Sequence, residues 1–152
     1  MTRGDILEPP DGGGCAFCDY LSGRRPYTTV ASNERISVLV TREQRGVPHL
    51  LVIPVRHKET ILDLDDEEAK ALIIGVRQVA IAIDEAYRRP GIVIWQNNGV
   101  PASQTISHVH FHVAGTLDEG GTDWGDVEEL PLHITDAIGR KLSPHLDLEN
   151  GA

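Results

Sequence analysis

Three histidines recur two apart in the stretch Gln104-Thr105-Ile106-Ser107-His108-Val109-His110-Phe111-His112-Val113-Ala114. The alternation is strict: His108, His110 and His112 on one side, Val109, Phe111 and Val113 on the other. That is the period of a β-strand, so the stretch is predicted to be one strand with three imidazoles on one face. A neutral imidazole can attack an electrophile, pass a proton or bind a metal. Packing alone is an expensive reason to keep three of them together. Buried and neutral, each needs hydrogen-bond partners; charged, they repel. A second constellation is Cys15-Ala16-Phe17-Cys18. Such a pair reads as half of a tetrahedral zinc site, a redox couple or a coincidence. The redox motif calls for a strand before it and a helix after it; here a Gly-rich segment precedes it, which counts against that reading.

Several elements must position these residues. Tyr27–Ser32 and Ile36–Val40 read as short strands turning at Asn33-Glu34. Leu50–Ile53 is an uninterrupted apolar run, expected to be a central strand ended by Pro54, with His49 at its start and His57 just past its end. The main helix is expected within Asp63–Tyr87, at about residues 66–88. Asp65 and Glu68 form a capping box, and Ala69, Leu72, Ile73, Val76, Val79, Ala80, Ile83 and Tyr87 form the apolar stripe. Ile92–Gln96 is the next strand. The turn-rich loop from Asn97 to Ser103 then leads into the histidine strand as a long hairpin. A short helix is expected within Leu130–Leu142, followed by a loose tail. The fold class is α+β.

The 152 residues suit one domain. With 14 basic against 23 acidic residues the net charge is −9, which argues against nucleic-acid binding through a basic surface. No apolar run approaches a membrane span and no signal-peptide pattern opens the chain, so a cytoplasmic protein with reduced thiols and no membrane partner is expected.

The pattern His-x-His-x-His-x-x with apolar residues at each x resembles the signature of the histidine triad family of nucleotide hydrolases and transferases. Gln104-Thr105 before it, Asn97-Asn98-Gly99 upstream and His49-Leu50-Leu51-Val52-Ile53-Pro54-Val55-Arg56-His57 resemble further family segments in the family's order. Cys15-Ala16-Phe17-Cys18 resembles the Cys-x-Phe-Cys opening of many bacterial, zinc-binding members. The resemblance covers Cys15 to Ala114 and implies a five-stranded antiparallel meander carrying one long helix, usually dimerised. Residues 15–116 would form that domain, 1–14 a flexible lead-in and 117–152 a partly ordered extension.

The resemblance also implies roles. His110 matches the nucleophile that attacks the α-phosphorus of a nucleotide and becomes nucleotidylated. The substrate is expected to be a purine nucleoside phosphoramidate or a dinucleoside polyphosphate. His112 would hydrogen-bond the phosphate, and His49 would set the imidazole tautomers. Asn97, Ser103, Gln104 and Thr105 would cradle phosphate oxygens. Phe17, Tyr20, Leu39 and Thr41 would line the nucleoside pocket. Thr41 stands where many relatives have an acid that holds the ribose hydroxyls, so this sugar contact differs. Cys15, Cys18, His57 and His108 match the ligands of a structural zinc. No organic cofactor is implied. Two other readings remain open from the residues alone: a catalytic zinc held by His108, His110 and His112, and a nucleotide sensor without turnover. Trp124 is either a local anchor or a residue reaching a partner subunit's site.

Overall fold

The computed structural model describes residues 7–10 and 14–148; the rest of the expected lead-in, residues 1–6 and 11–13, lies outside the described residues. The ordered elements are α1 (Ala16–Ser22), β1 (Thr29–Ser32), β2 (Ile36–Val40), β3 (His49–Pro54), α2 (Asp66–Tyr87), β4 (Ile92–Gln96), β5 (Phe111–Gly115) and α3 (Leu132–Leu142). The strands form one sheet in the order β1-β2-β3-β5-β4, every neighbouring pair antiparallel. The first three strands meander. After α2 the chain returns to the outer edge as β4, and β5 then fills the gap beside β3.

The α1 helix was not expected from the sequence. Cys15 caps it, its sulfur accepting the Cys18 N–H, and Gly23 ends it with φ 80°. A cysteine is an unusual N-cap, so the start signal is weak. The main helix begins at its expected cap. Asp65 accepts the Glu68 N–H, and the Glu68 side chain accepts the Asp65 N–H.

The stripe on α2 is rotated from the expected one. Ala71, Leu72, Gly75, Val76, Val79, Ala82 and Ile83 are buried, whereas Ala69 is exposed and Ile73 is 58% exposed. Small residues bring the helix close to the sheet. A Cβ on Gly75 would run into the Ile36 side chain and lie 3.3 Å from Val52.

The two faces of the sheet divide core from site. Val38, Val40, Leu50, Val52 and Val113 pack with α2 and with Leu142 of α3. On the opposite face Leu39, Leu51 and Ile53 pack under Phe17 of α1. Register aligns a row across that second face: Leu39 opposite Leu51, Leu51 opposite His112, and His112 opposite Trp95.

The histidine stretch is only partly a strand. Pairing starts at Phe111, so of the three histidines only His112 lies on the ladder. Residues 104–110 instead bond to surrounding loops, as in Val109 N–H to Lys58 O at 2.8 Å. The alternation survives, since Val109 enters the α2-side core while His108 and His110 are buried too.

The tail expected to be loose contributes Leu148 to the main core beside Leu142. Among the described residues, no helix is long and apolar enough to cross a membrane. Because Leu142 is buried against the sheet, Leu142→Ala is expected to cost about 2–5 kcal/mol in urea unfolding. A loss within 0.5 kcal/mol, on the order of a neutral surface change, would show that α3 is not part of the cooperative core.

Candidate active site and metal centre

The His110 ring is oriented by backbone. Its Nδ1 lies 2.7 Å from the His108 carbonyl oxygen. A carbonyl only accepts, so Nδ1 carries the hydrogen and the lone pair is left on Nε2. Burial holds the pKa below the usual histidine value, against the opposing effect of the His108 carbonyl. The neutral, nucleophilic form is thereby favoured. Phe17 packs edge-on to this ring at 5.1 Å.

His112 is paired with His49, Nδ1 to Nε2, at 2.9 Å. The far nitrogen of His49, Nδ1, meets the Arg45 N–H at 3.2 Å and the Glu43 carbonyl at 3.1 Å. With the Arg45 N–H donating, His49 donates to His112, and His112 presents an Nε2–H. With His49 donating to Glu43, the chain reverses and His112 presents a lone pair. The pair is thus a two-state donor–acceptor relay. Burial is the largest cause that lowers His49 to about 4 and His112 to about 2.

The expected metal ligands converge. Ligand atoms of Cys15, Cys18, His57 and His108 all lie within 4.8 Å of one another, and the group could hold a metal ion. Cys15 Sγ is 3.3 Å from His108 Nδ1, Cys18 Sγ is 3.4 Å from His57 Nδ1, and Cys18 Sγ is 3.7 Å from His108 Nδ1. Tetrahedral zinc with ordinary Zn–S and Zn–N bonds puts such ligands roughly 3.5 Å apart, so the donor set fits. His108 Nε2–H donates to the Pro54 carbonyl at 2.8 Å, which directs the Nδ1 lone pair at the sulfurs. Burial, then the adjacent Cys15, pushes the Cys18 thiol up to about 11, so its thiolate is disfavoured without a cation beside it. The three triad imidazoles do not converge on one centre. His108 turns its Nδ1 to the cysteines while His110 Nδ1 is bonded to backbone.

A cavity of about 270 Å³ opens over His49, His110 and His112. Of the residues expected at the nucleoside, Phe17, Tyr20 and Thr41 border it, as does Thr105 of the expected phosphate loop, joined by Tyr27, Arg25, Arg42, Arg45, Glu43 and Glu129. Tyr20 and Tyr27 stack at 3.9 Å, giving the cavity a flat aromatic wall. Leu39 departs from expectation: it has no exposed surface and packs beneath Phe17. Its place in the middle of β2 leaves it behind the wall.

The expected phosphate loop is more structural than its composition suggested. Gln104 is buried, accepts the Gly99 N–H at 2.7 Å and donates to the Glu59 and Ile106 carbonyls at 2.7 and 3.0 Å. Asn97 donates to Ala102 O at 2.8 Å, and Ser103 turns the chain with φ 70°. These three close the loop that presents Thr105. Thr41 Oγ1 accepts the Glu43 N–H at 3.2 Å, which commits part of its bonding capacity.

Comparison with known proteins now identifies the family. The family model described as HIT domain matches residues 22–118. The chain belongs to the HIT domain family. An adenosine 5'-monophosphoramidase of Schizosaccharomyces pombe is 30% identical over 133 residues, covering 85% of this chain and 96% of that protein. A Hit-like protein of Bartonella henselae has a TM-score of 0.82 at 23% identity, covering 91% of this chain and all of that one. A Zn-bound histidine triad family protein from Mycobacterium smegmatis has a TM-score of 0.73 at 24% identity, covering 90% and 94%. The HIT fold is therefore shared, with its five-stranded antiparallel sheet.

Sequence reasoning missed Arg45 and Trp95. Arg45 addresses His49 through its backbone N–H, which no side-chain pattern signals. Trp95 reaches His112 only through strand register.

The buried imidazoles make stability pH-dependent. His49 and His112 have folded pKa values below 6.5, so as pH falls the unfolded chain takes up protons first. Stability should be fully present above about pH 6.5 and fall steadily toward pH 4. Thermal unfolding across this window should show a steeper decline for wild type than for His49→Gln; equal slopes would contradict the assignment.

Proposed function

We propose that the protein is a nucleotide hydrolase or nucleotidyl transferase acting at the α-phosphate of a purine nucleoside phosphoramidate or dinucleoside polyphosphate. The observation that carries this reading is the 2.7 Å bond from His110 Nδ1–H to the His108 carbonyl, which leaves Nε2 as a fixed lone pair in a residue bordering the cavity. His110 Nε2 attacks the α-phosphorus, and the bond from phosphorus to the leaving group breaks. His112 Nε2–H supplies the leaving group's proton. Water then attacks the nucleotidyl-imidazole, and the His49–His112 pair accepts its proton, restoring free His110. Transfer to another acceptor follows the same second step. Thr105 and nearby arginines offset phosphate charge, and the Tyr20–Tyr27 wall receives the base. The phosphoramidase name of the fission-yeast relative supports the phosphoramidate class.

The metal group is read as a structural zinc site, on its two-Cys, two-His donor set and on the zinc-bound mycobacterial relative. Zinc there would hold the two sulfurs as thiolates and pin α1 to the sheet. A homodimer is supported by the place of β4 at the edge of the sheet among the described residues and by exposed Ile94, Ile73 and Ile81. Cysteines placed as reduced metal ligands, with no disulfide between them, are the support for a cytoplasmic location.

Two experiments test this. Intact-mass measurement under denaturing, non-acidic conditions, after brief incubation with an adenosine phosphoramidate, should find a nucleotidyl adduct on wild type and none on His110→Ala. Binding without adduct or turnover would instead indicate a sensor. Elemental analysis should find about one zinc per chain, lost in Cys15→Ser/Cys18→Ser, as four N/S ligands require. Unchanged thermal stability after complete metal removal would contradict a structural role.

A further inference from the structure

His49 holds one atom of His112, and a single hydrogen bond does not fix the plane of a ring whose terminal torsion is broad. Trp95 supplies that plane. It lies directly across the β4–β5 ladder from His112, and the two rings stack at 4.5 Å with only 5° between them. The same indole packs at 5.0 Å against His49. Trp124, from beyond the matched domain, packs on Trp95 at 5.3 Å. The segment carrying Trp124 is tied to the relay loop. Arg45 Nη1 donates to the Asp123 and Gly125 carbonyls at 2.9 and 2.8 Å, and the Asp123 N–H donates to Arg45 O at 2.8 Å. Arg45 is the residue whose own N–H faces His49.

We propose that Trp95 is a positioning residue that fixes the plane of His112, and hence the direction in which its Nε2 exchanges a proton. The inference rests on the nucleotidyl-transfer reading above. It names a residue outside the histidines and outside the cavity wall. The stack aligns the His112 ring with the sheet row it belongs to. The face of an indole also attracts the positive charge that develops on an imidazole gaining a proton. Trp95 therefore acts on the chemical step through His112 and contributes little to nucleotide binding.

A double-mutant cycle separates this from a packing role. Steady-state hydrolysis of an adenosine phosphoramidate is measured for wild type, Trp95→Leu, Trp95→Phe, His110→Ala, His112→Ala and His112→Ala/Trp95→Leu. Trp95→Leu should lower kcat about tenfold with KM within about twofold, an effect of the size expected for a misaligned catalytic group. Trp95→Phe, which keeps a ring, should recover most of that loss. In the His112→Ala background Trp95→Leu should change kcat by less than about twofold, because the residue it acts through is gone. Should Trp95→Leu not fold, Trp95→Met enters the same cycle. An equal loss in both backgrounds, a loss confined to KM, or no loss would overturn the role of Trp95 while leaving the reaction standing. Undiminished kcat in His112→Ala would overturn the proton-transfer role of His112, and the role of Trp95 with it, whereas undiminished kcat in His110→Ala would overturn the reaction reading itself.

Discussion

The geometry of the site depends on His108, a residue other than the proposed nucleophile. Its carbonyl oxygen accepts the His110 Nδ1–H at 2.7 Å and so selects the tautomer with a free Nε2. Its side chain has no exposed surface and is held at both nitrogens, by the Pro54 carbonyl and by the cysteine sulfurs. A carbonyl that must orient a neighbouring ring needs a fixed peptide, and the anchored side chain fixes it. The Cys15–Cys18–His57–His108 group, which could hold a metal, and the His110 ring are therefore one mechanical unit, with Phe17 wedged against both His108 and His110.

That coupling explains the architecture around it. Cys15 and Cys18 sit at the start of α1, so the same short helix that supplies two sulfurs also delivers Phe17 and Tyr20 to the cavity. The helices α2 and α3 occupy the other face of the sheet and leave the site face to α1, the loops and the imidazoles. Burial then does chemical work. It lowers the pKa of His49, His110 and His112 and favours their neutral forms, which the proposed nucleophile and relay require. The cost is acid sensitivity, since burying neutral histidines favours the unfolded chain once it can be protonated.

Much of this was legible in the residues. The spacing of His108, His110 and His112, the Cys-x-x-Cys pair and the Asp65–Glu68 box each carry a local signal; the cysteines meet His57 and His108 and the box caps α2, whereas of the three histidines only His112 lies on a strand. What was not legible depends on neighbours far along the chain. The stripe of α2 is set by small residues such as Gly75, which carry almost no hydrophobic signal but allow close approach to Ile36. Pairing stops short of His110 because residues 104–110 bond to the Gly99, Glu59 and Lys58 backbone instead of to a strand. The resemblance implies a phosphate-cradling role for Gln104, but the three partners of its side chain are all backbone. Trp95 gave no warning, since a tryptophan in a strand reads as packing until register places it on His112.

One backbone carbonyl, that of His108, sets the tautomer of His110, the proposed nucleophile. Long-range proton–nitrogen correlation on histidine-labelled protein reads the tautomer of each ring directly, with His110 assigned by its loss in His110→Ala. At neutral pH His110 should carry its hydrogen on Nδ1 and its lone pair on Nε2. A ring found with hydrogen on Nε2 would contradict it, because such a nitrogen has no lone pair with which to attack phosphorus.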